Sequence, residues 1–290
     1  MSLGWFPLIL IYIVTNSASK ILQKIAVRKD EIDPNAFCVA FFFYCGLLTV
    51  PFLALEPIRL APDYRGWLAF GFSCVGACFC MVFYYYSIKR IEVSQAETIA
   101  TTRSIWAVLL GIVFFHETLS ASKLIGIVLI ISAIASIYWK KGTVATFRRP
   151  QWMIVAYAFL ITAAYALDKF ALDYFSVIFY QLILYWVSGA LTLLFFPGTL
   201  KKMRPFLHWN RHTPLYLLCF ILQAISTLAF LRSFQVGGDL SVVGPMAQTT
   251  TLLTILIGII FLKEHWNLKR KLSGVALAAI GIIFLRVFSF

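Results

Sequence analysis

Residues 94–117 read SQAETIATTRSIWAVLLGIVFFHE, and residues 241–264 read SVVGPMAQTTTLLTILIGIIFLKE. Laid on one another without a gap, Ser94 meets Ser241, Thr102 meets Thr249, Gly111 meets Gly258 and Glu117 meets Glu264. Thr101 then falls on Gln248, and Arg103 on Thr250. With one residue inserted downstream, Gly126 meets Gly274. With one gap upstream, Ser87 meets Ser233, and Lys20 can be set against Lys169. Each block is long and apolar enough to cross a bilayer at about 20 residues per crossing. The chain therefore repeats a membrane segment, with much of its surroundings.

Composition agrees. Of 290 residues, 61% are hydrophobic and 13% charged, whereas soluble domains run near a quarter charged. One soluble core cannot hide that much apolar surface, so lipid is the second solvent. The net charge of +13 would suggest nucleic acid in a soluble chain. In a membrane protein it reflects Lys and Arg gathered in cytoplasmic loops, and no nucleic-acid partner is expected. The start of the chain lacks a basic segment and a small-residue cleavage site, so it reads as a first span and not as a signal peptide.

Outward from the repeated block, apolar runs bounded by charge, Pro or Gly give ten spans: 4–23, 35–55, 66–88, 93–115, 121–139, 151–171, 175–196, 213–234, 240–262 and 268–288. A lone segment in lipid must satisfy its own backbone, so each is a helix. The fold class expected is all-α integral membrane, with two five-helix repeats, residues 1–145 and 146–290, around a central cavity. Five is odd, so the second repeat enters the membrane inverted. Short connections predict consecutive helices packed as antiparallel neighbours. Four-residue spacings of small residues, such as Ser73 and Ala77, suit close helix contact. Eighteen of the 25 Lys and Arg fall on the side reached after the odd spans, six fall on the other, and Arg103 sits within a span. The positive-inside rule then places both termini outside the cytoplasm.

The blocks ending Gly111-Ile-Val-Phe-Phe-His-Glu117 and Gly258-Ile-Ile-Phe-Leu-Lys-Glu264, each followed by a Lys-Leu-x-Gly helix start at Lys123 and Lys271, resemble the drug/metabolite transporter superfamily in its EamA-type branch. The resemblance spans essentially the whole chain. It implies ten helices in two inverted halves, a central cavity and alternating access. Known relatives move amino acids, nucleotides, sugar phosphates, vitamins, amines or drugs. Members commonly keep their termini in the cytoplasm, and the charge bias here points the other way.

Charge inside a membrane is costly and usually faces a cavity or a partner. Arg103 lies near the middle of the fourth span, where its planar fork suits a carboxylate or phosphate. A structural ion pair is the competing reading. Glu97 reads either as a protonatable coupling residue or as a counter-charge to Lys20 or Lys169. Thr98 and Thr102, one turn apart, line a groove or bond back to their own helix. In the ninth span Gly244-Pro245 predicts a kink or break, and Gln248 follows it. Asn16 and Lys20 share a face of the first span, and Gln223 and Thr227 a face of the eighth. Asp168 reads as a partner of Lys169 or as snorkelling outward. Of Tyr84, Tyr85 and Tyr86 at most one is expected inward, the interfacial belt being favoured. Trp106 reads as a cavity wall or as lipid-facing bulk. The candidate substrate-binding set is Arg103, Glu97, Thr98, Thr102, Asn16, Gln248, Thr227, Tyr84 and Trp106.

Six cysteines lie in apolar runs and read as small hydrophobes, with Cys74 and Cys78 on one packing seam. No metal or cofactor is expected. No nucleotide-binding loop is found, so ATP is not the direct fuel. No cluster of His or Asp marks an enzyme. The function expected is secondary transport of a small polar metabolite with an anionic group, an amino acid or a related compound. A multidrug or cation exporter and a lipid flippase are the alternatives. The partners are the substrate and the lipid bilayer, with proton or exchange coupling left open. Monomer and homodimer both fit, and the location expected is the bacterial inner membrane.

Overall fold

The computed structural model describes residues 4–27, 32–90, 96, 99–100, 102–116, 120–138, 148–247 and 249–254, with single positions between 273 and 284. All regular structure among them is helical: α1 Trp5–Val27, α2 Pro34–Thr49, α3 Tyr64–Ile88, α4 Arg103–Phe115, α5 Ala121–Tyr138, α6 Arg149–Ala171, α7 Val177–Phe195, a short α8 Arg204–Leu207, α9 Thr213–Gln235 and α10 Leu240–Ala247. Six stretches are long and apolar enough to cross a membrane: α1, α2 with the 3-10 turn that extends it to Leu55, α3, α6, α7 and α9. They match the first, second, third, sixth, seventh and eighth expected spans. Helices α4, α5 and α10 occupy the fourth, fifth and ninth, and most of the tenth lies outside the described residues.

The helices are apolar outward and mixed inward. On α1, Leu10, Ile11 and Val14 are exposed, while Asn16, Ser17, Ser19 and Gln23 are buried. Water would reverse that order, and lipid requires it, because buried polar groups then bond across helices. Ser17 Oγ donates to the Thr250 carbonyl at 2.9 Å, and Ser19 Oγ to that of Cys219 at 3.0 Å.

The tightest pairings run between the two halves of the chain, α1 with α9 and α3 with α6, followed by α2 with α7. This corrects the expectation that consecutive helices are the close neighbours. Short loops limit where the next helix starts, but small residues decide which helices touch. Gly76 of α3 faces Ala164 of α6, and Gly189 of α7 faces Phe42 of α2. Both long pairs are antiparallel. Ser73 meets Asp168 and Ser87 donates to the Pro150 carbonyl on α3–α6, while Tyr12 meets Phe230 and Ser19 meets Cys219 on α1–α9. The Cys74–Cys78 face is a packing seam as expected: Ser188 and Thr192 of α7 donate to the Cys74 carbonyl and the Cys78 sulfur at 3.3 Å each. Pro245 does not break its helix, since α10 runs through it.

Carboxylates cap two span starts. Asp63 accepts from the Arg65 and Gly66 amides ahead of α3. Asp33 accepts from those of Asn35 and Ala36 ahead of α2, where Pro34 takes the first position. Such caps satisfy otherwise orphaned N–H groups. Lys202 donates to the other oxygen of Asp33 at 2.6 Å. Partial burial raises the Asp33 pKa, but the Lys202 bond and charge and the two amides outweigh it, so the net direction is below 3.8. Its contribution is complete above the unfolded value and is lost as pH falls through the lower folded one. Asp33→Asn keeps the cap and removes the charge. Thermal melts should place it about 0.5 kcal/mol below wild type near neutrality, with the gap closing in acid. A gap that stays constant into acid refutes the assignment.

Candidate substrate cavity

Helices α1, α2, α3, α4, α6, α7 and α9 surround a cavity of about 110 Å³, room for several waters or a small solute. Its wall is aromatic, with Tyr12, Tyr84, Tyr157, Tyr165 and Tyr185 beside Phe41, Phe42 and Phe230. Its charged described residues are Lys20, Arg103 and Asp168.

Arg103 is buried, and local backbone geometry sets its position. Thr102 forms a turn whose N–H bonds three residues back to Ile99 at 3.2 Å, and α4 starts at Arg103 itself. The positive end of α4 adds to the charge there. Nε donates to the Ala100 carbonyl at 3.0 Å and Nη1 to the Tyr157 hydroxyl at 3.1 Å, with the guanidinium carbon 5.3 Å from the Tyr157 ring centre. Tyr84 packs on Tyr157 at 5.0 Å between ring centres. One local backbone contact and one bond to α6 thus hold the side chain at the cavity wall.

Asn16 lines the same space, and its Oδ1 is buried with no hydrogen-bond partner among the described residues. A relay runs beside it. Tyr85 donates to Gln23, Gln23 to Gln223, Gln223 to Thr227, and Tyr185 to the same Thr227 oxygen at 2.6 Å. Asp168 is buried. Ser73 Oγ donates to its Oδ1, and Tyr180 Oη does so at 2.6 Å.

Of the expected set, the structure brings Arg103, Asn16, Thr227 and Tyr84 to the cavity wall. Thr102 is not on it; its hydroxyl bonds back to the Ile99 carbonyl at 2.9 Å. Trp106 is not on it either, and its ring packs edge-on against Phe159 of α6 at 5.3 Å. Glu97, Thr98 and Gln248 lie outside the described residues. Asp168 neither pairs with Lys169 nor snorkels: it turns inward to α3 and α7, and the Lys169 ammonium sits 4.6 Å from the Phe115 ring centre. Tyr84 and Tyr85 are both buried, against the belt expectation, because α3 is covered on that side by α2 and α6. Tyr157, Gln23, Tyr185 and Ser73 went unselected. A Tyr or Ser in an apolar run looks ordinary in sequence, and only Gln23, a buried amide near a span end, carried a usable signal.

The described cavity walls thus come from both halves of a multi-pass membrane protein. Residues 3–139 match the model of the EamA-like transporter family. An "uncharacterized transporter" of Archaeoglobus fulgidus is 27% identical over 274 residues, covering 90% of this chain and 91% of that protein. A solved crystal structure shares the fold with a TM-score of 0.73 at 12% identity, over 98% of this chain and 96% of that one. Over residues 3–139 the chain is thus similar to the EamA-like transporters, a family of the drug/metabolite transporter superfamily.

Proposed function

We propose that the chain is a secondary transporter that moves a small polar metabolite with an anionic group, an amino acid or a related compound, by alternating access. The observation that carries this reading is the aromatic cavity with the buried Arg103 guanidinium, and Lys20, on its wall. Cations buried in such a space favour an anion that displaces water from them. The proposed binding set is Arg103, Lys20, Asn16, Tyr84, Tyr157 and Thr227. Two inverted five-helix halves, residues 1–145 and 146–290, are supported by the exchange of pairings: the first helix of each half lies along the third of the other. A two-fold relation between halves generates that pattern. Rocking of such halves about a central site opens it to one side at a time. The proposed location is the bacterial inner membrane.

The test is counterflow in liposomes holding purified protein, with labelled amino acids in one arm, a labelled phospholipid in a second and a labelled aromatic cation in a third. Saturable amino-acid exchange above empty liposomes is expected. Translocation of the lipid or the cation without amino-acid exchange overturns the reading. Tyr157→Phe removes one hydrogen bond to Arg103 and keeps the ring. The half-saturation concentration should rise by roughly three- to tenfold, the worth of about 1 kcal/mol, with little change in maximal rate. An unchanged concentration dependence removes Tyr157 from the set.

A further inference from the structure

We infer that Asp168 is the proton-carrying residue of a substrate–proton symport, an inference that rests on the transport reading above. Its carboxylate is buried within the membrane, and both hydroxyl donors, Ser73 of α3 and Tyr180 of α7, converge on Oδ1. Among the described residues no Lys or Arg bonds to either oxygen. Oδ2 accepts no hydrogen bond from them, and Asp168 is on the cavity wall. Hydroxyls suit both protonation states, since each donates to a carboxylate and accepts from a carboxyl.

Position separates this group from the anion site. The α3–α6 register puts Ser73 opposite Asp168 and Tyr84 opposite Tyr157. Asp168 therefore lies three turns along α6 from Tyr157, which holds Arg103, about 16 Å at 1.5 Å per residue. A small solute held by Arg103 does not reach it. The groups that interact with Asp168 are Cys74 and Cys80 from α3 and Tyr180 and Tyr185 from α7, while Tyr12 and Lys20 from α1 and Tyr165 from α6 line the same cavity. Arg103 closes the far end.

Electrostatics couples the two ends. Asp168 lines the same low-dielectric cavity as Arg103. An entering substrate anion adds a second negative charge to that of the carboxylate, and a like charge favours protonation. Anion binding thus draws a proton onto Asp168, and by reciprocity a protonated Asp168 binds the anion more tightly. The proton comes from water on the side to which the cavity is open, is held as the carboxyl O–H, and returns to water on the other side with the substrate.

The experiment uses full-length protein in liposomes, a labelled mixture of the common amino acids as probe, and an imposed pH gradient. Wild type should accumulate label toward a ceiling of about tenfold per pH unit, the limit for one proton per substrate. Asp168→Asn, a permanently neutral mimic, should lose gradient-driven accumulation while keeping counterflow. Infrared spectra should show a carboxyl band that comes and goes between acidic and neutral buffer in wild type and is missing from Asp168→Asn. Gradient-driven accumulation that survives in Asp168→Asn, or a band that does not depend on Asp168, overturns the inference. So does loss of counterflow in a folded Asp168→Asn, which marks a contact to the substrate's amino group. If that variant does not fold, Asp168→Glu decides: it should keep gradient-driven uptake with a displaced pH midpoint, and an unmoved midpoint overturns the inference. Wild-type counterflow without any response to the gradient refutes symport alone. Absence of wild-type counterflow refutes the transport reading and the symport with it.

Discussion

Arg103→Ala should reduce amino-acid counterflow by roughly 30-fold or more, the consequence of losing about 2 kcal/mol or more when one partner of a buried charge pair is truncated. The anion would still meet the cavity, but without the guanidinium it would face tyrosine edges and apolar wall in place of its counter-charge. The fold should survive. Among the described contacts, the Arg103 Nε bond is to its own local backbone and its Nη1 bond to the Tyr157 hydroxyl is a single hydrogen bond to another helix. Expression and the melting midpoint in detergent should therefore stay near wild type. Arg103→Lys keeps the charge and loses the planar fork, and should recover only part of the rate. Counterflow within about twofold of wild type in Arg103→Ala would remove the anion site, since the weakest charged hydrogen bond is worth more than that.

Gly244→Ala should destabilise the protein and slow transport together. A Cβ at residue 244 would stand 2.6 Å from the Ala107 Cβ. Neither atom can swing aside, because both are fixed to backbone, so α4 and α10 must move apart. Overpacking of this kind costs about 1–3 kcal/mol and should lower the melting midpoint by several degrees. Ala107 lies one turn beyond Arg103 on the same face of α4, so the displaced helix carries the guanidinium with it. The rescue is specific: Ala107→Gly in the Gly244→Ala background restores the clearance and should restore both stability and uptake. Gly46 offers the contrast. A Cβ there would overlap the Trp186 ring, but that ring is half-exposed toward lipid and can turn away. Gly46→Ala should therefore cost less than Gly244→Ala. A Gly244→Ala variant that melts and transports as wild type would show that the α4–α10 seam does not position the site.

The site was legible where a residue was expensive. Arg103 stood out because a charge in lipid needs a reason, and it is on the cavity wall. Asn16 and Thr227 stood out as polar residues inside apolar spans, and both are there too. Thr102 and Trp106 were drawn in by closeness in sequence to Arg103. The turn at Thr102 rotates its hydroxyl back to Ile99, and the Trp106 ring meets Phe159 instead. Asp168 was seen and given the wrong partner, because adjacent residues on a helix point in different directions: Lys169 faces Phe115, and Asp168 faces the interior.

Sequence alone determined the solvent, the helical character of the apolar runs and the presence of a related block in each half. Hydrophobic length and backbone self-satisfaction are properties of one segment at a time, and a single strand of text records them. Only the tertiary structure decided which helices touch, which tyrosines turn inward, and that the guanidinium is held by a tyrosine three turns along α6 from the buried carboxylate. Those outcomes depend on contacts between segments about a hundred positions apart, as between Cys74 and Ser188 or between Ser73 and Asp168. In lipid such contacts, and not the burial of apolar surface, select one helix arrangement over another.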